Sequence, residues 1–286
     1  MASVTRFAGG EKTHLRRWTG RMALVLVWSR AQPGDMARIF ITGSTEGLGR
    51  AAAEALLDEG HDVVVHARDD ERLRAVEDLV RRGAGHVTGD LADPDQTRDV
   101  AEQVNRLGRM DAVIHNAGVY RGPDVLPVNV VAPYLLTALI WRPSRLVYLS
   151  SEEHLTGRPV LRGQDWSGRE SEGSYPDSKL FVTTLAVAMA RVWPEVLSNA
   201  VDPGWVPTRM GGPSAPDDLR LGHRTQVWLA TSSSPEAMTS GGYWRHEARE
   251  EPAPAVLDHE FQAELLVALS DYTGEPLAPR PLAPVD

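Results

Sequence analysis

Tyr175 and Lys179 stand four residues apart, the spacing that places two side chains on one face of a helix. A phenol with an ordinary pKa near 10 is a poor base at neutral pH. A cation beside it favours the phenolate and lowers that pKa, so the pair is suited to giving and taking a proton. Pro176 falls in what would be the first helical turn, where proline is tolerated. Ser150 and Ser151 close the apolar run Arg145–Leu149, and either hydroxyl could bond an oxygen that gains charge during a reaction. A glycine-rich stretch, Gly43-Ser44-Thr45-Glu46-Gly47-Leu48-Gly49, lies upstream, between an apolar run and an Ala/Leu-rich one. Glycines at a strand-to-helix turn let the backbone bend tightly and approach a pyrophosphate, which the helix N-terminus attracts.

Positioning these groups requires a sheet. Arg38–Thr42 predicts a first buried strand, Leu48–Glu59 a helix stopped by Gly60, and His61–His66 a second strand. Asp70–Arg82 carries Leu73, Val76, Leu79 and Val80 at helical spacing. His86–Thr88 reads as a third strand, Asp93 to about Leu107 as a helix, and Ala112–Ile114 and Arg145–Leu149 as strands four and five. Apolar strands without alternation, separated by helices, imply a parallel sheet covered on both faces. Right-handed crossovers then give an α/β, doubly wound, Rossmann-like single domain over residues 36–272. Leu219–Leu229 is expected as a covering helix, Tyr243-Trp244 as a last strand and Phe261–Leu269 as a last helix.

The 286 residues carry a net charge of −9 and no cysteine. That excludes thiolate metal sites, disulfides and a cysteine nucleophile, and argues against general nucleic-acid binding. No apolar run is long enough for a membrane helix. His259-Glu260 is followed by Ala263, so a His-Glu-x-x-His metal site is missing and no metal is expected. No Gly-x-Ser-x-Gly elbow surrounds Ser150-Ser151. Residues 1–35 are basic and are expected to be disordered or to precede the native start at Met36. The tail, residues 273–286, is proline-rich and expected to be disordered. A cytoplasmic location is the default.

Six motifs in order, from about Arg38 to Glu247, resemble the short-chain dehydrogenase/reductase family in its single-domain branch. They are the Gly-x-x-x-Gly-x-Gly turn; Asp90-Leu91; Asn116-Ala117-Gly118; Asn129 with Ser150-Ser151; Tyr175-x-x-x-Lys179; and Pro203-Gly204 through Val206 and Thr208. The resemblance implies hydride transfer between a nicotinamide cofactor and a carbonyl or alcohol. It implies that Tyr175 is the proton donor and acceptor and that Ser151, rather than Ser150, bonds the substrate oxygen. Lys179 would grip the nicotinamide ribose and Asn129 would hold a water linking Lys179 to solvent. Gly43, Ser44, Thr45, Gly47, Leu48 and Gly49 would receive the pyrophosphate, Asp90 and Leu91 the adenine, and residues 203–208 the carboxamide.

Arg68 follows the second strand, where a guanidinium suits the 2′-phosphate of NADP(H) over NAD(H); the alternative is an ion pair with Asp69 or Asp70. Gly118 to Asn129 is only eleven positions, shorter than in similar proteins, which is expected to open the substrate side or weaken the cofactor cleft. Ser151 to Tyr175 is longer than usual, and Glu152-Glu153-His154 and Gln164-Asp165-Trp166 in it resemble the branch holding retinol-dehydrogenase-like enzymes and antibiotic-pathway ketoreductases. Trp166, Trp205 and Met210 suggest an apolar lining and hence a bulky apolar carbonyl substrate. Homo-oligomers are common in the family. A non-catalytic NADP(H)-binding regulator on the same fold is the alternative.

Overall fold

Strands and helices alternate from Arg38 to Thr273 in a computed structural model that describes residues 36–277. The expectations for residues 1–35 and 278–286 lie outside the described residues. In chain order the elements are β1 (Arg38–Ile41), α1 (Gly47–Asp58), β2 (Asp62–Ala67), α2 (Asp70–Leu73), α3 (Glu77–Arg81), β3 (Gly85–Thr88), α4 (Pro94–Arg106) and β4 (Ala112–His115). A π-helical turn over Pro127–Val131 runs into α5 (Ala132–Leu139). Then come β5 (Arg145–Leu149), α6 (Tyr175–Val192), β6 (Leu197–Asp202), α7 (Leu219–Gly222), α8 (Arg224–Thr231), β7 (Tyr243–Arg245), β8 (Ala248–Glu250) and α9 (His259–Thr273).

The sheet order is β3-β2-β1-β4-β5-β6-β7-β8. β1 to β7 are parallel, as expected of a doubly wound sheet, and β8 returns antiparallel beside β7. Side chains alternate along each strand, so one core forms on each face. Phe40, Val64, Val113 and Tyr148 pack under α4, α5, α6 and α9. Ile39, Ile41, Val63, Val65 and Ile114 pack under α1, α3 and α8. The chain reverses direction across the sheet between β1 and β4. The carboxyl ends of these strands therefore open the crevice in which such sheets bind ligands.

Local chemistry sets the helix ends. Asp93 caps α4 through the Asp95 and Gln96 N–H groups, with Pro94 in the first turn. Ser174 caps α6, and Gly274 ends α9 in the left-handed region (φ 73°). The expected single helix over Asp70–Arg82 is broken. Val76 leaves helical geometry, and only Val76 and Leu79 of its apolar stripe are fully buried. The expected helix over Leu219–Leu229 is likewise two, meeting at buried Gly222, where a side chain would press on Leu48 and Val206.

His66, read from sequence as an ordinary strand residue, braces the crevice. Its Nδ1 accepts the Gly43 N–H at 3.0 Å and its Nε2 donates to the Gly89 carbonyl at 2.9 Å. His115 lies under α5, stacked on Tyr148 at 4.5 Å and within 3.2 Å of the Thr137 hydroxyl. Burial holds both imidazoles below the usual range, at about 4 for His66 and about 3 for His115.

Both rings are therefore neutral when folded, and they take up protons near pH 6.5 when unfolded. Between about pH 6.5 and 4 the unfolded chain binds more protons, so stability falls as pH drops through that window. Each histidine contributes on the order of 2–3 kcal/mol to that slope. Urea denaturation at about pH 7.5 and about pH 4.5 measures it. The variant His66→Gln is expected to reduce the pH dependence by roughly the His66 share, and an unchanged slope would contradict this reading.

Candidate active site

The glycine turn joins β1 to α1 at the head of the crevice. Gly43 has φ +61°, and a Cβ there would stand 2.9 Å from Ala117 Cα. The turn after β1 is thus in backbone contact with the turn after β4. Asn116 fastens the two by donating from Nδ2 to the Thr42 and Gly43 carbonyls, while the Thr42 hydroxyl accepts the Asn116 and Ala117 N–H groups. A Cβ on Gly49 would reach Asn116 and the Gly43 carbonyl, so close packing of helix on strand requires glycine there. No side chain caps the N-terminus of α1, which leaves its N–H groups to an anionic ligand.

The other cofactor candidates differ in what they offer. Ser44 is fully buried, and its hydroxyl is spent on Ile41 and His66; Ser44 braces the turn from inside. Leu91 is also buried, in the core below α4. Asp90 turns its carboxylate to the Ala92 N–H. Thr45, Gly47 and Leu48 keep partial exposure. Arg68 is 61% exposed at the end of β2, 3.5 Å from the Asp69 carboxylate.

Of the four proposed catalytic residues, Ser151 follows β5, Tyr175 and Lys179 open α6, and Asn129 lies in the π-helical turn before α5. Ser150 and Ser151 part company as the strand ends. Ser150 is buried and bonds the Thr183 hydroxyl at 2.5 Å. Ser151 turns outward to cap the following 3₁₀ turn by accepting the Glu153 N–H, and it lies close enough to Tyr175 to act on the phenol's pKa. Lys179 Nζ donates to the Leu149 carbonyl at 2.8 Å and lies 5.4 Å from the Tyr175 ring centroid. Asn129 pairs with the Val119 backbone in both directions, at 2.8 and 2.9 Å, and donates to the Ser178 hydroxyl at 3.0 Å. A Cβ on Gly118 would stand 3.4 Å from Asn129 Oδ1 and 3.6 Å from Lys179 Nζ, so the Asn116–Gly118 turn closes on the catalytic side chains.

One expectation changes here. The Tyr175 phenol is pushed up rather than down, because burial outweighs the lowering effect of Ser151, and Glu153 and Asp202 add to the upward push. The same burial lowers Lys179 to about 8, against the opposing charges of Asp202 and Glu153. Both ends of the Asn129 amide are engaged within the protein, with the Val119 backbone and the Ser178 hydroxyl.

Within the largely exposed segment between Ser151 and Tyr175, His154 and Trp166 pack into the fold. His154 is fully buried, donates Nδ1–H to the Ser151 carbonyl at 2.8 Å and accepts the Ala253 N–H at Nε2. Trp166 is buried against Phe181 at 5.7 Å and is not a lining residue. Asp177 fixes the start of α6 by accepting both the backbone N–H and the guanidinium of Arg158 at 2.8 Å.

Residues 203–218 run back over the glycine turn. A Cβ on Gly47 would stand 3.4 Å from the Thr208 methyl, and one on Gly118 would stand 3.8 Å from Met210 Cε. Val206 is buried and Thr208 caps the loop through the Gly211 N–H. Arg245, at the end of β7, joins the pieces. Its guanidinium lies 3.3 Å from Glu152, 3.9 Å from buried Asp202 and 3.8 Å from Asp217. Asp202 also accepts the Gly204 N–H and the Tyr243 hydroxyl, and Asp217 accepts the Trp205 N–H. Sequence reasoning missed Arg245 and Asp202. An acid directly before Pro203-Gly204 was a visible signal, whereas nothing local marks Arg245.

This arrangement can hold a dinucleotide at one end and move a proton at the other. A family model described as short chain dehydrogenase matches residues 37–139. The short-chain dehydrogenase chyC of Penicillium rubens is 36% identical, over 84% of this chain and 98% of that one. Retinol dehydrogenase 13 of Homo sapiens is 27% identical, over 82% and 84%. Among solved structures, a blue fluorescent protein from a metagenomic library in complex with NADPH superposes with a TM-score of 0.62 at 20% identity, covering 75% of this chain and 97% of that one. The chain belongs to the short-chain dehydrogenase family of oxidoreductases.

Removing Arg245 would leave Asp202 buried with two hydrogen bonds and only the Lys179 ammonium as a neighbouring cation. Arg245→Met is expected to cost about 1–2 kcal/mol, discounted for the partial exposure of the pairs. Denaturant titration checks this, and a midpoint equal to that of the parent would show that the three carboxylates are held by other contacts.

Proposed function

We propose that the protein is an NADP(H)-dependent carbonyl reductase, working on a bulky apolar ketone or aldehyde and, in reverse, on the alcohol. The observation that carries this reading is the placement of the Lys179 ammonium 5.4 Å from the Tyr175 ring centroid, with Ser151 close enough to the phenol to act on its pKa. The glycine turn suits a dinucleotide, because its helix N-terminus has no side-chain cap and its glycines let neighbouring backbone approach closely. Residues Gly43 to Gly49, Asn116 to Gly118 and Pro203 to Thr208 would hold it, with Arg68 beside the adenosine ribose. When bound, reduced nicotinamide supplies the hydride.

The rest is done by side chains. Ser151 bonds the carbonyl oxygen and sets its orientation against the phenol. Tyr175, kept protonated by burial, gives its proton to that oxygen as negative charge develops there. Lys179 is a cation below about pH 8 and stabilises the phenolate left behind. Asn129 holds Val119, and through it Gly118, beside Lys179. A cytoplasmic location and a self-paired assembly complete the reading.

Tyr175→Phe is expected to lower carbonyl turnover at least ~100-fold while NADPH affinity stays within about threefold. In the parent protein, reduction should slow as pH rises through about 8, where Lys179 loses its charge. Tight NADPH binding with no turnover on any carbonyl would favour a regulatory protein instead.

Arg68→Ala is expected to lower the NADPH-to-NADH preference in kcat/KM about tenfold by removing the guanidinium offered to the 2′-phosphate. A parent protein that turns over NADH faster would overturn the NADP(H) assignment.

A further inference from the structure

Tyr120 stands on the flank of the Tyr175 phenol, and the reaction scheme above gives it no task. Its ring centroid lies 4.6 Å from that of Tyr175, at an interplanar angle of 56°. The ring is preset, because Asn129 pins the preceding residue, Val119, through both its N–H and its carbonyl. The Arg121 guanidinium lies 5.4 Å from the ring centroid and steadies it further. Yet Tyr120 is 40% exposed. A tyrosine kept only for packing would bury this ring.

Met210 adds a second open apolar group at the same place. It is 45% exposed, and a Cβ on Gly118 would stand 3.8 Å from its Cε, after Asn129 Oδ1 at 3.4 Å and Lys179 Nζ at 3.6 Å. The ring and the thioether thus belong to chain segments that meet at Gly118, two residues before Tyr120. Both groups discriminate among apolar ligands. An aromatic ring gains more from a tilted or offset ring than from an alkyl group, by about 2- to 12-fold in an equilibrium constant. A thioether sulfur makes favourable contacts with ring edges.

We propose that Tyr120, assisted by Met210, is a specificity-determining residue that selects carbonyl compounds bearing an aromatic ring next to the reacting carbon. This inference rests on the carbonyl-reductase reading above. The shortened connection from Gly118 to Asn129 is what makes it work. With few residues between them, Asn129 ties Val119, the residue before Tyr120, to the catalytic wall, and the substrate side gains an aromatic surface.

The test compares an aryl methyl ketone with its cyclohexyl counterpart, using the full chain and saturating NADPH. The quantity read is the ratio of the two kcat/KM values, in which the intrinsic reactivity of the ketones cancels between variants. Tyr120→Leu, which keeps apolar bulk and loses the ring, is expected to lower the aryl-to-cyclohexyl ratio about 5- to 10-fold. Tyr120→Phe is expected to hold the ratio within about twofold. A purely structural role would depress both substrates together and leave the ratio alone, and that result overturns the proposal. If the parent protein reduces neither ketone, the reductase reading fails on that count. The Tyr120 assignment is then read by calorimetric binding of the aryl ketone to the protein–NADPH complex. Weaker binding to Tyr120→Leu supports it, and equal binding overturns it.

Discussion

An ammonium group placed almost wholly out of water governs this site. Lys179 is 4% exposed, and its Nζ has one protein hydrogen bond, to the Leu149 carbonyl. Burying a cation is costly unless nearby negative groups offset the lost hydration. The last carbonyl of β5 supplies part of that compensation, and the charges of Asp202 and Glu153 supply more. Their sum leaves Lys179 near a pKa of about 8, a cation that can still be discharged close to neutrality. Asp202 is itself buried and is stabilised by the Gly204 N–H, the Tyr243 hydroxyl and Arg245. The ammonium thus reaches through Asp202 into β7 and, through Arg245, into the loop at Asp217.

The same burial sets the character of the phenol. Tyr175 is held protonated, which suits a donor to a carbonyl oxygen better than a resting base. Side-chain alternation at the end of β5 decides which serine meets it. Ser150 is drawn into the helix-covered interior by Thr183, and Ser151 leaves the strand facing the crevice. The turn after β4 is then pressed against both the glycine turn and Lys179, so the glycine turn and the Tyr175–Lys179 end of the crevice share one wall.

Much of this was legible in the residues. The unalternating strands, the glycine turn and the four-residue spacing of Tyr175 and Lys179 report local geometry, and local geometry is what periodicity encodes. The rest depends on contacts between distant segments. Arg245 meets Glu152, Asp202 and Asp217, which lie far from it in sequence. Trp166 could have lined the site or filled the core, and only the packing of α6 sends it against Phe181. The direction of the Tyr175 shift also escapes spacing, because a lysine four residues away is visible in sequence and the loss of water around the ring is not. The short stretch from Gly118 to Asn129 reads as a defect until the π-helical turn is seen to bring Asn129 onto Val119.

In the proposed reaction, Tyr175 and Ser151 deliver a proton to a carbonyl oxygen while a hydride arrives from a dinucleotide in the same crevice. The most direct test supplies NADPH carrying deuterium at the transferable position and examines the alcohol formed from an aryl ketone by mass spectrometry. The account predicts one deuterium on the carbinol carbon with the parent protein, and only trace labelled alcohol with Tyr175→Phe despite retained cofactor binding. Labelled alcohol formed equally fast by both proteins, or bound cofactor that labels no carbonyl at all, would contradict it.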